Sequence, residues 1–236
     1  MTSDLRGDRR GGFYWRGEPP VPYVSVTKCL GAIAKPQLLS WAAKEAYYAV
    51  IKDPGISEQE AVQAHLNVRD KAASRGSTVH SIVEAYKTSG AVIGSVPGPM
   101  GGYADAFYQW IKDSHINIVE QEKTVFSDKY RYAGTMDILA TLNGNSDLWV
   151  VDVKTNKAGV VYPEHHLQVS AYLAALREQG VNVKGGAVLA LREDGKYNYH
   201  QIKENFPAFL AAKTLWEWQN EETCLKLGYL RGGENA

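Results

Sequence analysis

The chain has 236 residues, is 44% hydrophobic, and balances 26 Lys and Arg against 26 Asp and Glu. That is enough apolar content for one sizeable core, and a net charge of zero means bulk positive charge does not hold the chain on nucleic acid, though a local basic groove is still compatible. Two cysteines, Cys29 and Cys224, without a C-x-x-C pair, exclude a disulfide framework, a structural zinc site and a four-cysteine iron–sulfur cluster.

Residues 1–20 are rich in Gly, Arg and Pro and read as a flexible lead-in to a single domain over 21–236. Within the lead-in, Phe13, Tyr14, Trp15 and Arg16 can stack on bases or pack back onto the domain. Ser25 and Thr27 offer capping hydroxyls for a short helix near 28–34, and Pro36 opens a longer one to about residue 51. Ser57 and Glu60 form an S-x-x-E helix start, and helical spacing continues to about residue 87 with a bend expected near Gly76. A Gly/Pro-rich loop over 90–102 leads to an aromatic helix over 103–113. Strands follow over 116–126, 132–142 and 147–154, then a helix over 163–179, a strand pair over 183–191 and 197–202, and a terminal helix over 206–227. This order predicts an α/β (α+β) fold, a mixed sheet flanked by helices, with helical additions at both ends. No G-x-x-x-x-G-K-[ST] phosphate loop occurs, so no ATP is expected. No run approaches the roughly 18 apolar residues of a membrane span, and the expectation is a soluble, cytoplasmic protein.

The richest segment is the hairpin around 143–146. Closed symmetrically, it sets Leu142 against Asp147 and therefore Asp137 against Asp152, with Cβ atoms roughly 4.5–5.5 Å apart. Lys154 then shares the face of Asp152, a polar face, while Val151 and Val153 turn toward a core. Facing carboxylates repel unless a cation lies between them, and their hard oxygens suit Mg²⁺ or Mn²⁺. A neighbouring ammonium can hold an anion beside that ion, which is equipment for phosphodiester chemistry.

Other polar residues arrive in a suitable order. His80 and Glu84 share one helical face, where they form either an intrahelical pair or, through the imidazole, a nitrogen ligand for the same metal. Arg75 beside Gly76 is either a phosphate contact or a solvated arginine. Gln168 and Tyr172, four apart, face the lysine, the site or the substrate backbone, unless they are a surface pair. His165 and His166 lack a partner at ligand spacing and read as surface residues, with substrate contact as the lesser alternative. Glu120 and Glu122 share one face of their strand, and one of them can approach Asp137 whichever register the 127–131 turn adopts.

Helical His80, then G-T-M-D ending at Asp137, V-D-V-K ending at Lys154, and Q-x-x-x-Y from Gln168 to Tyr172 together resemble the PD-(D/E)XK nuclease superfamily, and within it the RecB-type exonucleases. The stretches V-S-V-T at 24–27 and R-G-S-T-V-H at 75–80 are similar to phage exonucleases of that group and to mitochondrial genome maintenance exonuclease. The resemblance spans roughly residues 20–205 and implies an αβββαβ restriction-endonuclease-like core. It implies that His80, Asp137, Asp152 and the Val153 carbonyl hold the metal and that Lys154 activates water. Gln168 and Tyr172 would support the site and position DNA, with Glu122, like Glu84, in a supporting role. The activity implied is a Mg²⁺- or Mn²⁺-dependent deoxyribonuclease without an iron–sulfur cluster, of exonuclease type. It would act on single-stranded DNA or DNA ends in phage or bacterial recombination, replication or repair, in a bacterium or a phage-infected host cell. Without a fused helicase it acts alone or beside a helicase or recombination partner. The alternatives are a non-catalytic nucleic-acid-binding subunit on the same fold and an RNA-directed nuclease.

Overall fold

The computed structural model describes residues 8–89, 100–156 and 158–230. Residues 8–16, expected in a flexible lead-in, instead form a hairpin of β1 (Asp8–Arg10) and β2 (Phe13–Arg16). Phe13 and Tyr14 drive this, being 1% and 4% exposed: their apolar rings are buried against the domain rather than offered to bases. Strand β3 (Val21–Ser25) follows, then α1 (Val26–Cys29), capped by Ser25 Oγ accepting the Lys28 N–H, and a 3₁₀ turn over Leu30–Ala32.

Helix α2 (Pro36–Lys52) starts on its proline as expected. Helix α3 (Glu58–Ser89) starts on the S-x-x-E box: Ser57 Oγ accepts the Glu60 N–H at 3.3 Å and Glu60 Oε2 accepts the Ser57 N–H at 3.2 Å. It runs through Gly76 without interruption. A Cβ there would meet only Thr155 Oγ1, at 3.8 Å, so this glycine is not required by close packing. Most of the loop expected over 90–102 lies outside the described residues.

Helix α4 (Gly101–Ser114) precedes β4 (Asn117–Ser127), β5 (Tyr132–Thr141) and β6 (Leu148–Thr155); α5 (Pro163–Glu178) then crosses to β7 (Val183–Leu191), which hairpins into β8 (Tyr197–Gln201). The expected terminal helix is two, α6 (Phe206–Gln219) and α7 (Glu221–Lys226). Asn220 divides them, its Nδ2 donating to the Trp216 carbonyl at 2.8 Å and so competing with helix continuation.

All eight strands join one mixed sheet in the order β1-β2-β3-β5-β6-β7-β8, with β4 paired to β5. On one face α1, α5 and α6 cover a core holding Val26, Met136, Val150, Tyr172, Leu173 and Phe209. On the other, α3 and α4 cover Val79, Phe107, Trp110, Ile138, Val151 and Val153. Among the described residues, no helix is long and apolar enough to cross a membrane.

One irregularity of the sheet sets the place of the polar residues. Strand β4 occupies a full edge of β5, so β3 and β6 must share the other. β3 pairs in parallel at Tyr132 and Ala133, and β6 pairs antiparallel from Ile138 to Thr141. Residues 134–137 therefore lie on an edge that neither strand covers. Met136 and Ile138, two apart, sit in opposite cores, so the pleat of β5 turns over at Asp137.

Candidate metal and catalytic centre

The hairpin register is the expected one, with Ile138 opposite Val151 and Thr141 opposite Leu148. The ladder stops one step before Asp137 and Asp152. Where a backbone carbonyl would continue it, the Asp137 side chain takes over: Oδ2 accepts the Val153 N–H at 2.5 Å. A strand residue sends its N–H and C=O to the same edge, so the Val153 carbonyl also leaves β6 toward this gap.

Helix α3 supplies His80 from above. Its Nδ1 lies 3.5 Å from Asp137 Oδ1 and 3.4 Å from Glu122 Oε1. Glu122 is opposite Asp137 because the β4–β5 ladder closes with Ser127 against Tyr132 and holds that register past Lys123 against Met136 and Gln121 against Ile138. Its φ of 48° is left-handed, a conformation that costs a non-glycine residue on the order of 1–3 kcal/mol. Adjacent residues on a regular strand face opposite ways, yet both Gln121 and Glu122 reach α3, Gln121 donating to the Val83 carbonyl at 2.8 Å. Sequence reasoning missed that Gln121 brace, because strand alternation alone places it on the far face.

Donor atoms of His80, Glu122 and Asp137 all lie within 4.8 Å of one another. Of the expected His80, Asp137 and Asp152, the first two meet at that spacing together with Glu122, and Asp152 stands outside it. Its Oδ1 accepts from Gln168 Nε2 at 3.0 Å. Its Oδ2 finds no well-aligned hydrogen bond among the described residues and is met by the Lys154 ammonium at 2.6 Å. Nor is Asp152 on a wet face as the alternation suggested: it is fully buried, under the face covered by α5.

Gln168 also donates to the Tyr172 hydroxyl at 2.9 Å, linking the two members of the Q-x-x-x-Y pair to Asp152. Tyr172 in turn explains Gly134. A Cβ at that position would stand 2.5 Å from the Tyr172 ring and 3.2 Å from Val26. Gly134→Ala is expected to push the ring away, costing about 1–3 kcal/mol by overpacking and loosening Gln168 from Asp152. A thermal melt together with a cleavage assay checks this; unchanged values in both would mean the close packing is unimportant.

The remaining candidates lie at the rim or elsewhere. Arg75 is half-buried with its Nε unpaired, in the electrostatic neighbourhood of the Tyr103 hydroxyl. Glu84 is exposed on α3 and outside the trio; His80 turns to Glu122 and Asp137 instead. Glu120 pairs with Lys123 at 2.6 Å. His166 accepts the Lys203 N–H at 3.0 Å, a structural role.

The electrostatics show a deficit of positive charge. Burial, and then the charge of Asp152, hold the Asp137 carboxyl above its usual range, against the pull of Lys154, His80 and the Val153 N–H. Burial acts to lower the Lys154 pKa, but Asp152 and Asp137 outweigh it and the ammonium is retained. The hydrogen bond to Glu122, opposed by burial and helped by Asp137, raises His80. Three carboxyl groups thus converge where one ammonium is fixed. The donor set, two carboxylates and an imidazole beside an incompletely satisfied buried Asp152 oxygen, fits a divalent ion of the Mn²⁺ or Mg²⁺ kind.

A family model described as the PD-(D/E)XK nuclease superfamily matches residues 100–223, just over half of the chain. No curated protein matches significantly. Among solved structures, similarity extends to an alkaline exonuclease, LHK-Exo, from Laribacter hongkongensis (11% identity, 88% of this chain and 90% of that one, TM-score 0.47). A structure of LHK-Exo in complex with dAMP matches at 13% identity over 88% and 90%, TM-score 0.44. A candidate exonuclease from Eubacterium rectale matches at 13% identity over 89% and 83%, TM-score 0.45.

Proposed function

The chain belongs to the PD-(D/E)XK nuclease superfamily, and from that premise we propose that it is a divalent-metal-dependent deoxyribonuclease that degrades DNA from its ends. The observation that carries this reading is the meeting of His80, Glu122 and Asp137 within 4.8 Å, beside a lysine held by Asp152. Those three side chains would hold the ion, with the Val153 carbonyl and Asp152 as neighbouring oxygens. When bound, the ion supplies a Lewis acid that polarises a phosphoryl oxygen and acidifies water.

The chain's own residues do the rest. Asp152 holds the Lys154 ammonium in place, so a fixed positive charge faces the phosphate without reorganising during the reaction. Gln168 spends its amide donors on Asp152 and Tyr172, which fixes the Asp152 carboxylate that fixes the lysine. Tyr172, 2% exposed and packed on Gly134, anchors that chain of contacts to the core. The imidazole favours Mn²⁺ over Mg²⁺, since Mg²⁺ prefers oxygen ligands. Processing of DNA ends in recombination or repair, alone or beside a helicase, fits this chemistry.

End-labelled linear DNA, circular DNA and matched RNA, each with Mn²⁺, Mg²⁺ or EDTA, test the reading. The expected result is a ladder from linear DNA with metal, faster with Mn²⁺, and none with EDTA. Cleavage of circles would make it an endonuclease, and cleavage of RNA alone an RNA-directed enzyme. Binding without cleavage in every metal would point to a non-catalytic subunit.

A further inference from the structure

His165, read from the sequence chiefly as a surface residue, is half-buried and lies within electrostatic reach of Lys154 and Asp152. Strands β6 and β7 are parallel, so the crossover helix α5 runs back antiparallel to β6. Gln168 touches Asp152 at 3.0 Å, which aligns the two elements. Two residues further along β6, about 6.6 Å, stands Lys154. Three residues back along α5, about 4.5 Å in the same direction, stands His165. His165, Gln168 and Tyr172 occupy one face of α5 at spacings that bring side chains into line.

The ring has a defined proton. Its Nδ1 accepts the backbone N–H of Tyr162 at 3.3 Å, where it helps cap α5, so the neutral ring carries its hydrogen on Nε2. Nε2 makes no hydrogen bond among the described residues. Burial first, and then the Lys154 ammonium, press the imidazole pKa down to about 4, so the ring stays uncharged across the working range. An uncharged donor near a half-buried ammonium adds a hydrogen bond without adding like-charge repulsion.

We propose that His165 contacts the substrate, its Nε2–H donating to a non-bridging oxygen of the DNA phosphate that Lys154 faces. This rests on the nuclease reading above. Helix α5 then serves the site twice, ordering Asp152 through Gln168 and supplying a phosphate donor one turn earlier.

Three variants separate the donor from the cap. Gln and Glu both suit the third helical position as acceptors for the Tyr162 N–H, but only Gln also carries a donor. His165→Leu lacks both and adds no charge. With wild type cleaving DNA in Mn²⁺, His165→Gln is expected to hold kcat near wild type. His165→Glu and His165→Leu should lower kcat by about 10- to 100-fold, the scale of a lost hydrogen bond to a charged group. Melting temperatures should be equal for wild type, Gln and Glu. Normal kcat in the Leu variant overturns the proposal, as does an equal loss in all three that tracks a lowered melting temperature. Wild-type protein that cleaves nothing contradicts the nuclease reading itself, a result distinct from either.

Discussion

Asp137→Asn is expected to lower cleavage by roughly three orders of magnitude or more while leaving the metal-free protein as stable as wild type or more so. The carboxyl is 6% exposed, and its ionisation is opposed first by burial and next by Asp152. Its folded-state pKa is therefore above the unfolded value. In the absence of a cation the group costs stability as pH rises through the folded pKa, and below the unfolded pKa that cost vanishes. Asparagine removes the charge while its amide oxygen can still accept the Val153 N–H. The discriminating experiment is a pair of thermal melts, in EDTA and in Mn²⁺. Wild type should gain about 2.7 kcal/mol at a hundredfold excess over Kd, and the variant little. A variant that melts far below wild type in EDTA would show that the charge supports the fold.

Lys154→Ala should remove activity and also destabilise the protein, by about 3–5 kcal/mol. A reading of Asp152 and Lys154 as a solvated polar face predicts a neutral effect on folding, but Asp152 is 0% exposed and its Oδ2 meets that ammonium at 2.6 Å. Truncating the lysine leaves a buried carboxylate with Gln168 as its remaining partner. The double variant Asp152→Asn with Lys154→Met, which removes both charges and preserves volume, is expected to recover most of the stability and none of the cleavage. Denaturant unfolding of the wild type, the single and the double variant measures this. Equal stability of all three would show the pair to be solvent-screened; activity in the double variant would take both residues out of the chemistry.

The hairpin that carries Asp137 and Asp152 was readable because its turn is self-specifying. Asn143 and Gly144 adopt left-handed φ of 53° and 68°, and valines at 151 and 153 commit one face of β6 to a core. A register slip would have carried them to the face where Asp152 meets Gln168 and Lys154, and Asp152 into the apolar core under α3 and α4. The nuclease core, its helix order and the pairing of Gln168 with Tyr172 follow from the same local patterns. What escaped is non-local. Nothing in residues 8–16 announces that Phe13 will find Trp216 and Tyr229, so a hairpin looked like a lead-in. The choice between Glu120 and Glu122 depends on the register of the 127–131 turn and on a left-handed residue at Glu122, and regular alternation gives no warning of either. The parting of β3 and β6 along one edge of β5 is a tertiary event. It is also what leaves the Asp137 side chain free to accept the Val153 N–H where a backbone carbonyl would otherwise stand.

Crystals grown with Mn²⁺ and measured for anomalous scattering test the central claim most directly. A single strong peak is expected within coordination distance of His80 Nδ1, Glu122 Oε1 and Asp137 Oδ1, with Lys154 still against Asp152. Manganese bound elsewhere, or a peak that leaves His80 and Glu122 outside its shell, would contradict it.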